Sequence, residues 1–199
     1  MKTFLHVGCG PKQKDRTTNE FATSRWKELR FDIDASVSPD LIGTMTDMSS
    51  VEDASVDAIF SSHNIEHLYP REVPLALKEF SRVLKPDGFA VITCPDLQAV
   101  AKLIAEDKLL EPAYDSPAGP ISPIDILYGH RPAMSKGNLY MAHRCGFTQR
   151  ALTSTVQAFG FAQCASAKRG HPSFNLWIVA TVKEMGEEHL RNLAAQHFP

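Results

Sequence analysis

The chain has 199 residues, 43% of them hydrophobic, with 21 Lys and Arg against 23 Asp and Glu, so its formal charge is only -2. That balance excludes whole-protein attraction to nucleic acid or to an anionic membrane surface. No apolar run approaches a membrane span and no long apolar leader opens the chain, so a soluble, cytoplasmic protein is expected. Cys9, Cys94, Cys145 and Cys164 are scattered without CxxC or zinc-ribbon spacing, which predicts reduced thiols.

The first element is Thr3 to Gly10, TFLHVGCG. Phe4, Leu5 and Val7 suit the interior of a sheet. Gly8 and Gly10 suit a turn that takes unusual dihedrals or lies against a ligand, and Cys9 fills the loop between them. In an open α/β sheet the crevice beyond the carboxyl end of the first strand is where nucleotide-like cofactors sit. Residues 11–27 are polar and rich in breakers; they form either a wrap over that crevice or one short helix around residues 20–28. Lys12, Lys14 and Arg16 are candidates to face an anionic group there.

Leu29 to Asp34, LRFDID, is the second strand, ending in carboxylates 22 and 24 residues past Gly10. A carboxylate at the tip of the strand beside the glycine turn accepts well from both hydroxyls of a ribose. Asp32 is preferred for that contact and Asp34 competes, since both share one strand parity. Ile33 lies between them. Residues 35–50 hold a turn, the apolar pair Leu41 and Ile42, then Asp47 and Met48. This crossover is short. Asp47 can accept from an exocyclic amine, while the amide of Met48 donates to a ring nitrogen and its side chain packs on the base.

Val56 to Ser61, VDAIFS, is a buried strand that runs into SHNIEHLYP, gathering His63, Asn64, Glu66 and His67 at its carboxyl end. His63 and His67 have HxxxH spacing, which suits a metal only with further ligands, and Glu66 is not placed as in HExxH. No metal is expected. Val73, Leu77, Phe80 and Leu84 repeat along one helical face of residues 71–84, with Pro74 acceptable in the first turn. Lys85-Pro86-Asp87-Gly88 then turns the chain into a fifth strand, Phe89 to Thr93.

The series LHVGCG, FDID, TDM, VDAIFSSHNIEHL and above all ALKEFSRVLKPDGFAVITCPD resembles the class I S-adenosylmethionine-dependent methyltransferases. The likeness is closest to a small bacterial branch in which EHL follows the fourth strand. It covers residues 3–96 closely and about 121–182 more loosely. The resemblance implies a Rossmann-like, doubly wound, mostly parallel seven-stranded sheet with an antiparallel last strand. It implies that Gly8 and Gly10, with Cys9, approach the cofactor's methionine portion and that Asp32, with Ile33, holds its ribose. Asp47 and Met48 then take the adenine contact, and Ser61, Ser62, His63 and Asn64 line the cavity near the methyl donor. The chain departs from the family's E/DxGxGxG pattern, with His6 at the customary acidic position and Pro11 near the third glycine. Gln13 leaves the dinucleotide GxGxxG pattern unmet, and no P-loop is present.

Leu97 to Leu110 has helical spacing, and the proline-, glycine- and aromatic-rich stretch up to Phe147 reads as an ordered lid, residues 97–147, that sets substrate identity. Tyr114, Asp115, His130, Arg131, Tyr140, His143 and Arg144 are its polar and aromatic candidates. Thr148 caps a helix over 149–159. Phe161 to Ala167 and Leu176 to Val182 form an antiparallel hairpin at the sheet edge. Residues 1–183 thus make one domain, and 184–199 a terminal helix or tail with few apolar anchors.

The expected reaction moves a methyl group from S-adenosylmethionine to a small-molecule acceptor. Such a transfer needs alignment behind the methyl carbon and, for a hydroxyl or protonated amine, a base. His63 is the first candidate from its place at the strand end, then His67 and His130. Two other classes stay open: a metal-dependent hydrolase built on His63 and His67, and a noncatalytic cofactor-binding protein. Membrane and nucleic acid are not expected as partners. The sequence leaves room for a homodimer through a sheet edge or the lid.

Overall fold

A computed structural model describes residues 1–199. Nine strands form: β1 (Lys2–Val7), β2 (Trp26–Asp32), β3 (Leu41–Ile42), β4 (Val56–Ser62), β5 (Leu84–Pro95), β6 (Tyr114–Ser116), β7 (Gly119–Ile121), β8 (Gln163–Arg169) and β9 (Asn175–Thr181). Seven of them build one sheet in the order β3-β2-β1-β4-β5-β9-β8, and β6 pairs only with β7. Strands β3, β2, β1, β4 and β5 run parallel, while β9 lies antiparallel between β5 and β8. The expected edge hairpin is therefore present, shifted by a residue or two in its bounds.

Strand alternation sorts the core into two layers. Leu5 and Val7 of β1, Ile59 of β4 and Ala90 and Ile92 of β5 face one side. They meet Val73, Leu77, Phe80 and Val83 of α1 (Val73–Val83) and Leu152 and Val156 of α5 (Gln149–Ala158). Phe4, Ala58, Phe60, Phe89 and Val91 face the other side. The connection from β1 to β2 brings no helix to that second face. It holds only a 3-10 turn at Lys14–Arg16, and β2 begins already at Trp26, which corrects the short helix expected around 20–28. Phe21 from this connection stacks on Phe4 with ring centroids 4.3 Å apart.

The face is completed by the terminal helix α6 (Glu187–His197), through Leu190 and Leu193. His197 joins them. Its ring lies 4.4 Å from that of Phe21, and its Nδ1 is 2.9 Å from the Thr18 hydroxyl. Burying two leucines contributes roughly 3–5 kcal/mol, so α6 is part of the domain's core rather than a tail.

Between β5 and α5 lie α2 (Leu97–Ala105), the β6–β7 hairpin, α3 (Pro123–Tyr128), α4 (Arg131–Met134) and a 3-10 turn at Leu139–Met141. This segment has a small core of its own, in which Val100, Ile121 and Ile126 close around Phe174. It is pinned to the sheet at two places. The amides of Asp96 and Leu97 donate to the carbonyls of Phe174 and Phe147. The amides of Arg144 and Cys145 both donate to the carbonyl of Glu66. No helix is long and apolar enough to cross a membrane.

Candidate active site

Parallel pairing places Val7 opposite both Phe31 and Ser61, so β1, β2 and β4 end at one rim of the sheet. A cavity of about 430 Å³ opens there. One wall is Gly8, Cys9, Gly10, Asp32 and Ile33; the other is Ser62, His63, Asn64 and His67, roofed by Asn138, Tyr140, Met141 and Arg144.

The two glycines have different reasons to be glycine. Gly8 has φ +63°, and a Cβ there would stand 2.1 Å from Asn64 Oδ1. Gly10 has φ +52° with nothing within 4 Å of a Cβ, so its exposed side is open space. The turn is held by backbone and buried polar groups. The amide of Gly8 donates to the carbonyl of Phe31 at 2.8 Å, and that of Gly10 donates to Asp32 Oδ2 at 2.7 Å. The amide of Asp34 donates to Asp32 Oδ1 at 2.9 Å. Each Asp32 oxygen keeps a second lone pair for a ligand. Asp34 itself caps the 3-10 turn Ala35–Val37 through the amide of Ser36, and the Ser36 hydroxyl together with that amide holds its carboxyl below the usual range.

Arg30 braces this wall from behind. Its buried guanidinium donates to the carbonyls of Gly10 at 2.6 Å, Ser38 at 2.7 Å and Val37 at 3.1 Å, joining the glycine turn to the turn after β2. His6, at the position where an acidic residue is customary, lies 2.6 Å from Glu28 Oε1 on β2; burial holds its pKa down. Cys9 is buried, which raises its thiol to about 11 and removes it as a nucleophile at neutral pH. Lys12 reaches the cavity, whereas the Lys14 ammonium is spent on the carbonyls of Thr23 and Trp26.

Several expected site residues lie elsewhere. Met48 is fully buried in the core and its amide donates to Glu79 Oε2 at 2.7 Å, so neither its side chain nor its amide is free for a base. Asp47 is turned to solvent and accepts from the amide of Ser49 at 3.1 Å. Gly43, Thr44 and Met45 line the cavity in their place. They follow the tip of β3, where Gly43 is required because a Cβ would lie 2.6 Å from the Phe31 ring. Their signal was the same as that of Gly8: a glycine just past an apolar strand.

Ser61 is fully buried outside the cavity, its hydroxyl accepting from Asn64 Nδ2 at 3.3 Å. Asn64 also donates to the carbonyls of Val7 and Ser62, so it ties β1 to β4 while lining the cavity. His130 lies outside the cavity, ahead of α4. Arg131 is committed to Asp125, with Nε 2.7 Å from Oδ1, and this holds the Asp125 carboxyl far below its ordinary value.

His63 stands on the cavity wall with φ +56°, its amide donating to the carbonyl of Thr93. Its Nδ1 lies 3.3 Å from Glu66 Oε1. Burial pushes the Glu66 carboxyl up, His63, His67 and His143 pull it down, and the net position is below its ordinary value. His67 and His143 face one another with ring centroids 5.0 Å apart. Arg144 donates to the carbonyl of His67 at 3.1 Å and lies over the Tyr69 ring at 4.8 Å.

A family model described as "Methyltransferase domain" matches residues 5–92, the stretch that supplies both walls of this cavity. Over residues 5–92 the chain is therefore similar to that methyltransferase domain. Solved structures agree on the methyltransferase fold well beyond that core. A protein of Pyrococcus horikoshii OT3 is 17% identical, with a TM-score of 0.62 over 91% of this chain and 82% of its own. A SAM-dependent methyltransferase of Methanosarcina mazei is 14% identical, with a TM-score of 0.58 over 92% and 93%. The 1,6-didemethyltoxoflavin-N1-methyltransferase of Burkholderia thailandensis, solved with bound 1,6-didemethyltoxoflavin and S-adenosylhomocysteine, is 14% identical, with a TM-score of 0.56 over 89% and 69%. No curated protein matches the chain in sequence.

Proposed function

We propose that the protein transfers a methyl group from S-adenosylmethionine to a small-molecule acceptor held under residues 138–144. The observation that carries this is one cavity with two chemically different walls. The glycine turn and Asp32 form a rigid polar wall at the tips of β1 and β2, and His63 faces it from the tip of β4. The cofactor fits the first wall on local grounds, because the space beside Gly10 is open and a Cβ there would intrude upon it. Asp32 would accept from the ribose hydroxyls with its remaining lone pairs, and Gly43 to Met45 would border the adenine.

When bound, the cofactor supplies a methyl group already activated on a sulfonium. The chain's own residues then align the acceptor, exclude water and move one proton. Tyr140 and Met141 cover the acceptor side, so the crevice carries the roof that a merely cofactor-binding protein would not need. His63 would take the acceptor's proton at Nε2 while Glu66, at its Nδ1, orients the ring and offsets the positive charge that forms. On this reading His63 is the general base, favoured over His67 and His130 by its place on the cavity wall beside Glu66.

Calorimetric titration of cofactor-stripped protein with S-adenosylmethionine, S-adenosylhomocysteine and NAD tests the reading. The first two should bind and NAD should not; well-folded protein that binds neither sulfur compound overturns it.

A further inference from the structure

We propose that Glu66, His67 and His143 form a binding site for a divalent transition-metal ion at the acceptor side of the cavity. The ligand atoms of these three residues all lie within 4.8 Å of one another. Glu66 is 1% exposed, and beyond the long 3.3 Å approach of His63 Nδ1 to Oε1 neither carboxylate oxygen meets a hydrogen-bond donor. A buried carboxylate left in that state costs several kcal/mol unless a cation or donor meets it. Its nearest neighbours are imidazoles, and their orientation is fixed from behind.

The Nδ1 of His67 lies 3.1 Å from the carbonyl of Ala142, and the Nδ1 of His143 lies 2.8 Å from the carbonyl of Ile126. A carbonyl only accepts, so both rings carry their proton on Nδ1 and present a bare Nε2 lone pair. That is the arrangement in which metal-binding histidines are held by their outer partners. It is wasteful for two histidines whose only task is packing. Two imidazole nitrogens and one carboxylate oxygen suit a borderline divalent ion such as Zn²⁺, Co²⁺, Ni²⁺ or Fe²⁺, rather than Ca²⁺ or Mg²⁺. The carboxylate has two oxygens, so one can meet the ion while the other stays beside His63.

The site draws on two distant stretches. Glu66 and His67 come from the 3-10 turn after β4, and His143 comes from the segment between α4 and α5. The amides of Arg144 and Cys145, both on the carbonyl of Glu66, hold the two stretches in register. An ion there would clamp the roof to the sheet. It would also face the acceptor, because His67 lines the same cavity as Gly10 and Asp32.

Resting on the methyl-transfer reading, this assigns the acceptor class: a small molecule with a hydroxyl that binds the ion through oxygen. Coordination makes such a hydroxyl a stronger acid. The O–H proton passes to His63, an oxygen lone pair forms the new bond to the methyl carbon, and the carbon–sulfur bond breaks with its electrons staying on sulfur. The products are a methyl ether and the neutral thioether.

The test is titration of chelator-treated, full-length protein with CoCl₂, followed by visible absorption and calorimetry. One Co²⁺ per chain should bind, with the d–d bands of nitrogen and oxygen ligation and a rise in melting temperature. Glu66→Gln, His67→Ala and His143→Ala should each weaken binding at least about tenfold, the least that even an outer partner of a ligand costs. His189→Ala, on the exposed side of α6, should leave it unchanged. If Glu66→Gln does not fold, His143→Ala carries the test. Saturable binding indifferent to all three substitutions, or none by folded protein, overturns the site. S-adenosylhomocysteine titrated into the metal-free protein separates the two claims. Its failure strikes the methyl-transfer reading alone, and loss of Co²⁺ binding with cofactor binding intact strikes the metal site alone.

Discussion

The two walls of the cavity are built by different means. The wall of β1, β2 and β3 is made of backbone: a glycine turn, amides anchored on Asp32 and Phe31, and the carbonyls gathered by Arg30. The opposite wall is made of side chains from Ser62 to His67 and from Asn138 to Arg144, two stretches about 75 residues apart. A backbone wall suits a ligand that never changes, and a side-chain wall suits one that differs between relatives. Substitutions should therefore separate cleanly, the first wall governing cofactor affinity and the second governing turnover.

The largest effect should come from Gly8→Ala. A methyl group 2.1 Å from Asn64 Oδ1, on a backbone at φ +63°, must displace the Asn64 side chain and with it the amide that ties Val7 to Ser62. Strain and clash together cost roughly 3 kcal/mol, and S-adenosylhomocysteine binding by calorimetry should become undetectable. Gly10→Ala is the control. It meets no protein atom, so stability should fall by only about 1 kcal/mol while cofactor affinity drops. Equal losses of stability in the two variants would break the distinction between a packing glycine and a ligand-facing one.

His63→Ala should lower turnover by about 10²–10⁴, the usual range for a general base, and leave the calorimetric Kd of S-adenosylhomocysteine unchanged. Asp32→Asn should do the reverse. Replacing one charged acceptor costs about 1.5–3 kcal/mol, or roughly 10–100-fold in affinity, with little change in turnover at saturating cofactor. If either variant changes both quantities alike, the walls are not separable.

This asymmetry also decides what could be read from the residues alone. The sheet was legible because strands advertise themselves by alternation, and the glycine turn and Asp32 because backbone geometry restricts which residues fit. Met48 was misplaced by about three residues, since the amide expected to meet a base belongs to a turn whose register depends on Glu79, 31 positions later. The same register puts Gly43 to Met45 at the cavity. Glu66 with His143 was invisible, because their meeting depends on how residues 97–147 dock on the sheet and no local pattern records it. The terminal helix read as weakly anchored because three of its anchors, Leu190, Leu193 and His197, gain meaning only against Phe21, in a connection that brings no helix of its own.

That helix gives the smallest and most specific test, since it supports the backbone wall from the far face of the sheet through the Thr18–His197 contact. Burial lowers His197 to about 4, partly opposed by Glu20, against an ordinary value of 6.5. The folded state thus keeps the ring neutral where the unfolded chain would take up a proton. The resulting stability is fully present above pH 6.5 and is lost as pH falls toward 4, amounting to about 3 kcal/mol at most. His6 and His143, also lowered by burial, act in the same direction, so the acid limb should be steep in the native protein. His197→Phe keeps the aromatic contact with Phe21 and removes the proton. It costs Thr18 a partner equally at every pH, but should flatten the slope of urea-unfolding free energy between pH 4 and 6.5 by up to one proton. Parallel curves for the two proteins would mean that His197 is not titrating on unfolding, and that the acid sensitivity belongs to the cavity histidines instead.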